Sequence, residues 1–501
     1  MARRRQASRW SVISTTLNHT GIKATGSRSE GARVDTSTAS IREQLALELK
    51  YQAATQNGLR DAAASENKVL PIHRWVPWIA GFSADFVQDA IATYLPQTRR
   101  ARQLILDPFA GVGTTLIEGL KANCDVIGCE INPFASLVAA AKVNCVQVAP
   151  DDFQAEIEAF RTALSRFENE VDRRWEQGED LLSQVDDLLD LKPKAFKSRI
   201  PFFSAPVEAK FLYALARTRM LLQPDRNLFR AALGATMVSY SNYSYEPSLA
   251  SRPGSGKALI ANASVGETVY RKLREIVTDI EWARQNYAYQ WLDLGREVFQ
   301  QSYFDSPIQP NSVSLVVTSP PYMNNYHYVR NTRPQLYWLD LLSNGKTTDL
   351  EQSSFGKFWQ TVRQGEAIDL NFTSAYAEER IAELRPKNAH KGYYGGQGWA
   401  NYVATYLNDS NRFISCLKSQ LKSGGRAVIV VGNSIIQGLE FKVDHLLAEM
   451  AENHGLRVEA IHIVRTKRVG SSIIDSSVRN GDANGHRDKT QLYDAAVVLK
   501  R

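Results

Sequence analysis

Short apolar runs alternate with amphipathic segments over most of this 501-residue chain. Runs of this length predict buried strands, and the clearest are residues 104–106, 125–129, 315–317, 427–431, 456–464 and 493–499. Residues 114–122 and 442–454 instead repeat their apolar positions with the period of a helix. Strand, helix and strand in succession over residues 104–129 predict a βαβ unit, so we expect an α/β protein.

Polar and helical segments divide the chain into parts. Residues 1–40 are basic, rich in Ser, Thr and Gly and without apolar periodicity, so we expect a disordered tail. Residues 41–150 hold the βαβ unit, residues 151–296 are largely helical, and residues 297–501 return to mixed strands and helices. Within the last part, residues 343–400 are polar and glycine-rich, which is typical of an insertion or a lid near a site.

A glycine-bearing turn, Asp107 to Gly113, follows the first predicted strand. In a βαβ unit the ligand binds at the carboxyl end of that strand. Gly111 and Gly113 let the backbone approach a ligand, and Glu130, nineteen residues beyond Gly111, lies where an acidic side chain accepts hydrogen bonds from ribose hydroxyls. A dinucleotide site would need a third glycine, but Leu116 stands at that position.

The chemistry of the turn narrows the choice of ligand. Asp107 suits a cationic ligand better than a pyrophosphate, and no Gly-Lys-Ser/Thr follows the turn, which excludes a P-loop. S-adenosylmethionine carries an ammonium and a sulfonium group. It is therefore the predicted ligand.

A second polar loop, Ser319-Pro320-Pro321-Tyr322, follows the apolar run at residues 315–317. Prolines cannot donate to a sheet, so the strand must end there. Ser319 and the Pro320 carbonyl could accept the two hydrogens of an exocyclic amine while Tyr322 stacks on a planar base. Alone, this motif is more typical of a turn after a core strand, and it gains weight from the upstream turn.

Composition changes this picture little. The formal net charge of +7 suits a polyanionic partner, although 60 basic against 53 acidic residues is ordinary for a soluble protein. The four cysteines lack the paired spacing of a zinc site, so no metal is expected. Without a secretory signal or a run of about eighteen apolar residues, the chain is expected to be cytoplasmic, with no membrane contact.

The two loops, in this order and on these elements, resemble those of the DNA amino-methyltransferases, the N4-cytosine and N6-adenine family. Residues 73–82 are similar to the motif that precedes the cofactor loop in many members, and the resemblance covers about residues 69–148 and 297–501. It implies a Rossmann-like methyltransferase sheet with an antiparallel last hairpin, to which residues 151–296 add a mostly helical insertion. It also implies S-adenosylmethionine as methyl donor, and DNA as substrate with the target base flipped out of the helix.

The resemblance also assigns site residues. The cofactor-binding residues are Trp78, Phe82, Asp107, Phe109, Gly111, Gly113, Thr114, Glu130 and Asn132, and the catalytic residues are Ser319, Pro320, Pro321 and Tyr322. Many members place an acidic residue before the catalytic strand to hold the adenine amine of the cofactor, whereas this chain has Ser302. The residues expected to contact DNA, from their basic and aromatic surroundings, are Arg252, Lys257, Arg330, Arg333 and Arg468.

The expected reaction is direct methyl transfer to an exocyclic nitrogen in a specific DNA sequence. No cysteine follows a proline, which weighs against the C5-cytosine mechanism. Family members with Ser at the position of Ser319 tend to modify cytosine, so N4-cytosine is preferred and N6-adenine is the alternative. An RNA amino-methyltransferase and a non-catalytic DNA-binding subunit are further alternatives. Residues 151–296 are a candidate target-recognition region, and a separate restriction endonuclease or other defence component is a candidate partner.

Overall fold

A computed structural model describes residues 58–63, 66–78, 81, 83–96, 102–179, 181, 188, 190–245, 249–324, 328–343, 345–467 and 492–501. The expected basic tail, Phe82 and Arg468 lie outside the described residues.

The described chain alternates helices and strands from residue 84 onward. The α-helices are α1 (Ala84–Tyr94), α2 (Thr114–Lys121), α3 (Pro133–Val143), α4 (Pro150–Glu176), α5 (Ala205–Arg219), α6 (Asp225–Thr236), α7 (Val265–Asp293), α8 (Tyr328–Trp338), α9 (Thr348–Ser353), α10 (Trp359–Val362), α11 (Ala375–Leu384), α12 (Gly396–Gln420) and α13 (Val443–Asn453). Within the described ranges, no helix combines the length and apolar character needed to cross a membrane.

The strands are β1 (Leu104–Asp107), β2 (Asp125–Cys129), β3 (Tyr243–Tyr245), β4 (Leu249–Ser251), β5 (Arg296–Phe299), β6 (Val313–Thr318), β7 (Leu421–Gly432), β8 (Ser434–Ile436), β9 (Leu439–Phe441), β10 (Arg457–Lys467) and β11 (Leu492–Lys500). Seven of them form one sheet in the order β10-β11-β7-β6-β1-β2-β5. Strands β5, β2, β1, β6 and β7 are parallel, β11 is antiparallel to β7, and β10 is antiparallel to β11. The predicted α/β class is confirmed by this mostly parallel sheet.

The strand order explains why the two predicted loops lie together. The chain runs from β1 to β2 on one side and later returns to place β6 on the other side of β1. Ile105 pairs with Leu315 and Leu106 with Val316, so β1 and β6 end at the same edge of the sheet. Ligands of open α/β sheets bind at such a switch point, outside the carboxyl ends of the strands. The turn after Asp107 and the loop after Thr318 therefore face one another.

The helices between β2 and β5 share a hydrophobic core with the central sheet. Phe153 and Phe229, from α4 and α6, belong to one apolar core that also contains Ile105 of β1 and Leu116 of α2. Residues 240–257 contain the β3–β4 hairpin. Helix α8 runs through Pro334 and ends at Trp338.

The polar segment at residues 343–400, expected to be an insertion or a lid near the site, contains short helices. Asn401, fully buried at the start of α12, donates from Nδ2 to the carbonyls of Val362, Gly365 and Glu366 at 3.3, 3.3 and 2.9 Å. Its Oδ1 accepts from the Ile368 amide at 3.1 Å. Because this one side chain satisfies four backbone groups, a segment of polar composition packs firmly on α12.

Candidate functional site

A cavity of about 360 Å³ lies at the carboxyl ends of the parallel strands. The predicted residues that line it are Trp78, Phe109, Gly111, Glu130, Asn132, Ser319, Pro321 and Tyr322. The same cavity is lined by Ser302 and by residues that sequence reasoning missed, including Phe355, Tyr402, Tyr406 and Asp494. The structure therefore brings the predicted cofactor turn and catalytic loop into one site.

Asp107 supports the site from beneath the turn. It is fully buried at the end of β1 and is not among the residues that line the cavity. Its Oδ1 accepts from Thr318 Oγ1 at 2.6 Å and from the Phe109 amide at 3.1 Å, whereas Oδ2 has no hydrogen-bond partner. Burial raises the pKa of Asp107 to about 6, although Thr318 and Phe109 donate hydrogen bonds that lower it. An unpaired buried carboxylate oxygen fits a cationic ligand.

Gly111 and Gly113 serve different purposes in the turn. Gly111 has φ +50°, and a Cβ there would lie 3.3 Å from Nε1 of Trp78, so the indole rests directly on the turn. Gly113 has φ +86°, and its Cβ would lie 3.2 Å from Cβ of Ala139. It allows α2 to pack closely on α3 and does not line the cavity, so its role is in packing.

Glu130 shapes the far wall of the cavity. Its Oε2 accepts from the Gly111 amide at 2.8 Å and its Oε1 from the Asn132 amide at 2.7 Å. Burial raises the pKa of Glu130 to about 7, against the lowering effect of these two N–H groups. Each oxygen keeps a second lone pair with which to accept a ribose hydroxyl.

Asn132 links the cofactor side of the site to α8. Its Oδ1 accepts from the amides of Phe134 and Ala135 at 3.1 and 3.3 Å, which makes it the N-cap of α3. Its Nδ2 donates to Thr332 Oγ1 at 2.8 Å. Thr114, which was also predicted to bind the cofactor, is buried and faces a second cleft rather than this cavity.

The catalytic loop presents Ser319 and Tyr322 to the cavity. Ser319 Oγ donates to the Val430 carbonyl at 3.2 Å, which leaves its lone pairs as acceptors. Tyr322 hydrogen-bonds with Ser319 and Asp494, and burial raises its pKa well above the usual value, so the phenol stays neutral. Pro320 is buried and does not line the cavity.

Asp494 is the least expected group at this end of the cavity. It is buried at the start of β11, and its carboxylate faces the hydroxyl of Tyr322. The sequence does carry one sign of its role, because Asp494 is an acidic residue near the start of an otherwise apolar strand. Asp494 fixes the orientation of the tyrosine ring that the target base would stack on.

Ser302 and an aromatic shell occupy the opposite end. Ser302 lines the cavity where many family members have an acidic residue, and its Oγ accepts from the Phe304 amide at 3.4 Å. Phe109 packs edge-on against Phe355 and Phe413, with ring centroids 5.1 and 5.4 Å away. This end of the cavity is thus shaped by aromatic contact rather than by a carboxylate.

Asp279 of α7 anchors the segment that carries Trp78. Its carboxylate accepts from the Ile72 amide at 2.8 Å, from Trp75 Nε1 at 2.9 Å, and from Arg74 Nε and Nη2 at 3.1 and 2.6 Å. Ile72 has φ +68°, a conformation that β-branched residues rarely adopt. Four hydrogen bonds donated to one buried carboxylate hold this strained turn, and through it the indole wall of the site.

The residues expected to contact DNA divide into two pairs. Arg252 and Lys257 line the second cleft, beside the cavity. Arg330 is exposed on α8, and the guanidinium of Arg333 lies 5.8 and 5.7 Å from the rings of Phe196 and Tyr337. Neither of these α8 arginines lines the cavity or the cleft.

A family model for DNA methylases of the N6/N4 type matches residues 71–141, which carry Trp78, Asp107, Gly111 and Glu130. This part of the chain is thus similar to the DNA amino-methyltransferases. This confirms the predicted family and its methyl donor, S-adenosylmethionine.

Two Type II methyltransferases are similar to this chain over most of its length, and a third is similar over about half of it. The chain is 23% identical over 434 residues to the Type II methyltransferase M.AvaI of Nostoc sp., covering 81% of this chain and 83% of the relative. It is 22% identical over 437 residues to the Type II methyltransferase M.BsoBI of Geobacillus stearothermophilus, covering 81% and 82%. It is 25% identical over 256 residues to the Type II methyltransferase M.MvaI of Kocuria varians, covering 48% and 52%.

The residues of this methyltransferase fit its methyl donor. The unpaired oxygen of Asp107 suits an ammonium group, Glu130 suits ribose hydroxyls, and the shell around Phe355 suits a purine ring. When bound, S-adenosylmethionine supplies an electrophilic methyl group on a sulfonium. Among the described residues, no cluster of three His, Cys, Asp or Glu side chains is placed to hold a metal ion.

Glu130 should make binding of S-adenosylmethionine depend on pH. Above its raised pKa of about 7, the ionised carboxylate accepts ribose hydroxyls more strongly than a neutral amide does. We expect wild-type protein to bind about tenfold more tightly than Glu130→Gln at pH 8. The ratio should fall toward one by pH 6, because Glu130 is then protonated. Isothermal titration calorimetry measures both affinities, and taking their ratio cancels titration of the ligand.

The control variant is Glu297→Gln, which removes an exposed carboxylate on β5. Its affinity ratio to wild type should stay near one at every pH. A ratio for Glu130→Gln that is constant between pH 8 and pH 6 would contradict the assigned role.

Asp279→Asn should weaken binding of the methyl donor without slowing transfer at saturation. The substitution leaves the Arg74 guanidinium without its charged partner and loosens the turn that precedes Trp78. We expect KM for S-adenosylmethionine to rise about tenfold while kcat stays within about twofold of wild type. Glu281→Gln on the same helix, where Glu281 is exposed and lines neither space, should leave both unchanged. If thermal stability falls while KM is unaltered, Asp279 serves stability alone.

Proposed function

We propose that this chain is a site-specific Type II DNA methyltransferase that modifies the exocyclic N4 of cytosine. The observation that carries the proposal is the placement of Ser319 and Tyr322 in the same cavity as Gly111 and Glu130. A group that grips a base amine and a wall that suits the methyl donor thus share one space. The relatives named above are all Type II methyltransferases, which supports the site-specific character.

The chain's own residues would activate the amine by position. The nitrogen of a cytosine amine is a poor nucleophile, because its lone pair is delocalised into the ring. Ser319 Oγ, the one of the two predicted acceptors that lines the cavity, would accept one of its hydrogens and favour a tetrahedral nitrogen with a localised lone pair. Tyr322, held by Asp494, would stack on the base and keep the amine in line with the donor.

The choice of cytosine over adenine rests on Ser319. In the family that this chain resembles, a serine at this position tends to accompany cytosine and an aspartate tends to accompany adenine. N6-adenine is the second candidate, because Ser319 Oγ could accept a hydrogen from either amine.

We propose that residues 151–296 carry target recognition. Helix α7 of this segment holds the Trp78 turn through Asp279, and the β3–β4 hairpin leads to Arg252 beside the site. DNA bound by this segment would therefore lie next to the wall that holds the methyl donor. A separate restriction endonuclease of the same target sequence is the proposed partner.

Ser319→Ala should reduce methyl transfer at least a hundredfold, because it removes an acceptor that acts on the reacting nitrogen. Binding of S-adenosylmethionine should stay within about twofold of wild type, since Ser319 lies outside the cofactor turn. DNA is incubated with isotope-labelled donor and hydrolysed, and its nucleosides are separated by mass spectrometry. N4-methylcytosine is the expected product.

Ser312→Ala is the matched control, because Ser312 lies at the other end of β6 and donates to the Gln309 carbonyl. It should retain full activity. Full activity of Ser319→Ala would refute the role of Ser319, and N6-methyladenine as sole product would overturn the choice of base. Donor binding without any methylated nucleoside would refute the proposed function.

A further inference from the structure

A second cleft, of about 920 Å³, lies beside the active-site cavity. Its walls come from residues 67–78 and Gly81, from the helices and hairpin of residues 151–296, and from α8, with Val112, Thr114 and Phe134 between them. Trp78, Gly81 and Tyr328 line both the cleft and the cavity. The two spaces are therefore neighbours that share one wall.

The second cleft has a different charge from the cavity. The charged side chains that line it are Lys68, Arg74, Arg252, Lys257 and Lys272, with Glu275 as the one acidic residue. The cavity, in contrast, has Lys357 and Arg465 against Glu130 and Asp494. A basic cleft that also presents the rings of Tyr243 and Tyr245 suits a nucleotide, with its anionic phosphate and planar base.

Gln335 places an unused acceptor in this cleft. The side chain is 5% exposed, and its Nε2 donates to the Gly234 carbonyl at 3.2 Å and to the Tyr245 hydroxyl at 3.4 Å. Because a carbonyl can only accept, the Gly234 contact fixes which end of the amide is the nitrogen. The other end, Oε1, has no hydrogen-bond partner.

A buried acceptor of this kind needs a donor, because few buried polar groups stay unpaired. Gln335 lies on α8, seven residues after Tyr328, which lines both spaces. A donor that reaches Gln335 would thus be held next to a base in the cavity. In a DNA strand, the neighbour of the target base is the flanking nucleotide.

We propose that the second cleft binds a nucleotide flanking the target base and reads it through Gln335. Oε1 of Gln335 accepts a hydrogen bond from an exocyclic amine of that base, as carried by adenine, cytosine or guanine. Arg252 and Lys257 lie at the same cleft as partners for its phosphate. This inference rests on the proposed DNA methyltransferase function and makes Gln335 a specificity-determining residue.

The test combines base analogues with one substitution. Long-read sequencing of DNA from cells that express the protein first gives the recognised sequence. In oligonucleotides of that sequence, each flanking adenine, cytosine or guanine is replaced in turn by nebularine, zebularine or inosine, which lack the exocyclic amine. We expect kcat/KM of the wild-type enzyme to fall about tenfold to a hundredfold at one flanking position.

Gln335→Met keeps the shape of the side chain and removes the acceptor. On unmodified DNA this variant should lose about as much kcat/KM as the analogue costs the wild-type enzyme. At the critical position the analogue should cause the variant no further loss, whereas losses at other positions should persist. Gln154→Met, on α4 and bonded to Glu158, should behave as wild type at every position.

Equal penalties for the analogue in wild type and Gln335→Met would overturn the proposal. So would a wild-type enzyme that tolerates every flanking analogue, and this arm needs no variant to fold. Absence of methylation on any DNA by the wild-type enzyme would instead refute the proposed function. Weaker donor binding by Gln335→Met, with an unchanged response to the analogues, would assign the cleft to the donor and reject the flanking nucleotide.

Discussion

One buried hydrogen bond, from Thr318 to Asp107, joins the two loops on which the rest of the site depends. It links the ends of β1 and β6, strands that lie side by side because the order of the sheet reverses there. The carboxylate sits without exposed surface under the cofactor turn, and the threonine immediately precedes Ser319. A movement of either loop would break this contact in a buried setting, where an unpaired charge is costly.

The helical segment between the cofactor turn and the catalytic loop contacts the residues that form the site. Asp279 holds the turn that precedes Trp78, and Asn132 donates to Thr332 on α8. Gln335, further along α8, contacts the backbone of Gly234. The donor wall, α8 and the helical segment beside the second cleft are thus connected by direct hydrogen bonds. Contacts of DNA with this segment and binding of the donor should therefore influence each other.

The sequence was informative where the signal is local. The apolar runs at β1, β2 and β6, the glycine turn and the Ser-Pro-Pro-Tyr loop each lie within a few residues, and periodicity and turn chemistry identify them. Asp494 and Asp279 could not be placed in this way, because their partners lie more than 150 residues away in the chain.

Assignment by motif also gave some residues a role that their contacts do not support. Gly113 matches the cofactor motif, yet the structure places it against Ala139 for packing. Composition also does not reveal contacts between distant side chains, such as the guanidinium of Arg333 at 5.8 and 5.7 Å from the rings of Phe196 and Tyr337. Nor does it reveal that Asn401 bonds to backbone groups of the polar segment before α12.

The central claim is that the two loops form one site through the contact between Asp107 and Thr318. A double-mutant cycle tests it most directly, with Asp107→Asn, Thr318→Val and the double variant compared for donor affinity and for kcat/KM of methyl transfer. We expect each single variant to lower both quantities at least tenfold. The double variant should lose no more donor affinity or kcat/KM than the more impaired of the two single variants. Losses that simply multiply in the double variant would show that the two residues act independently and would contradict this account.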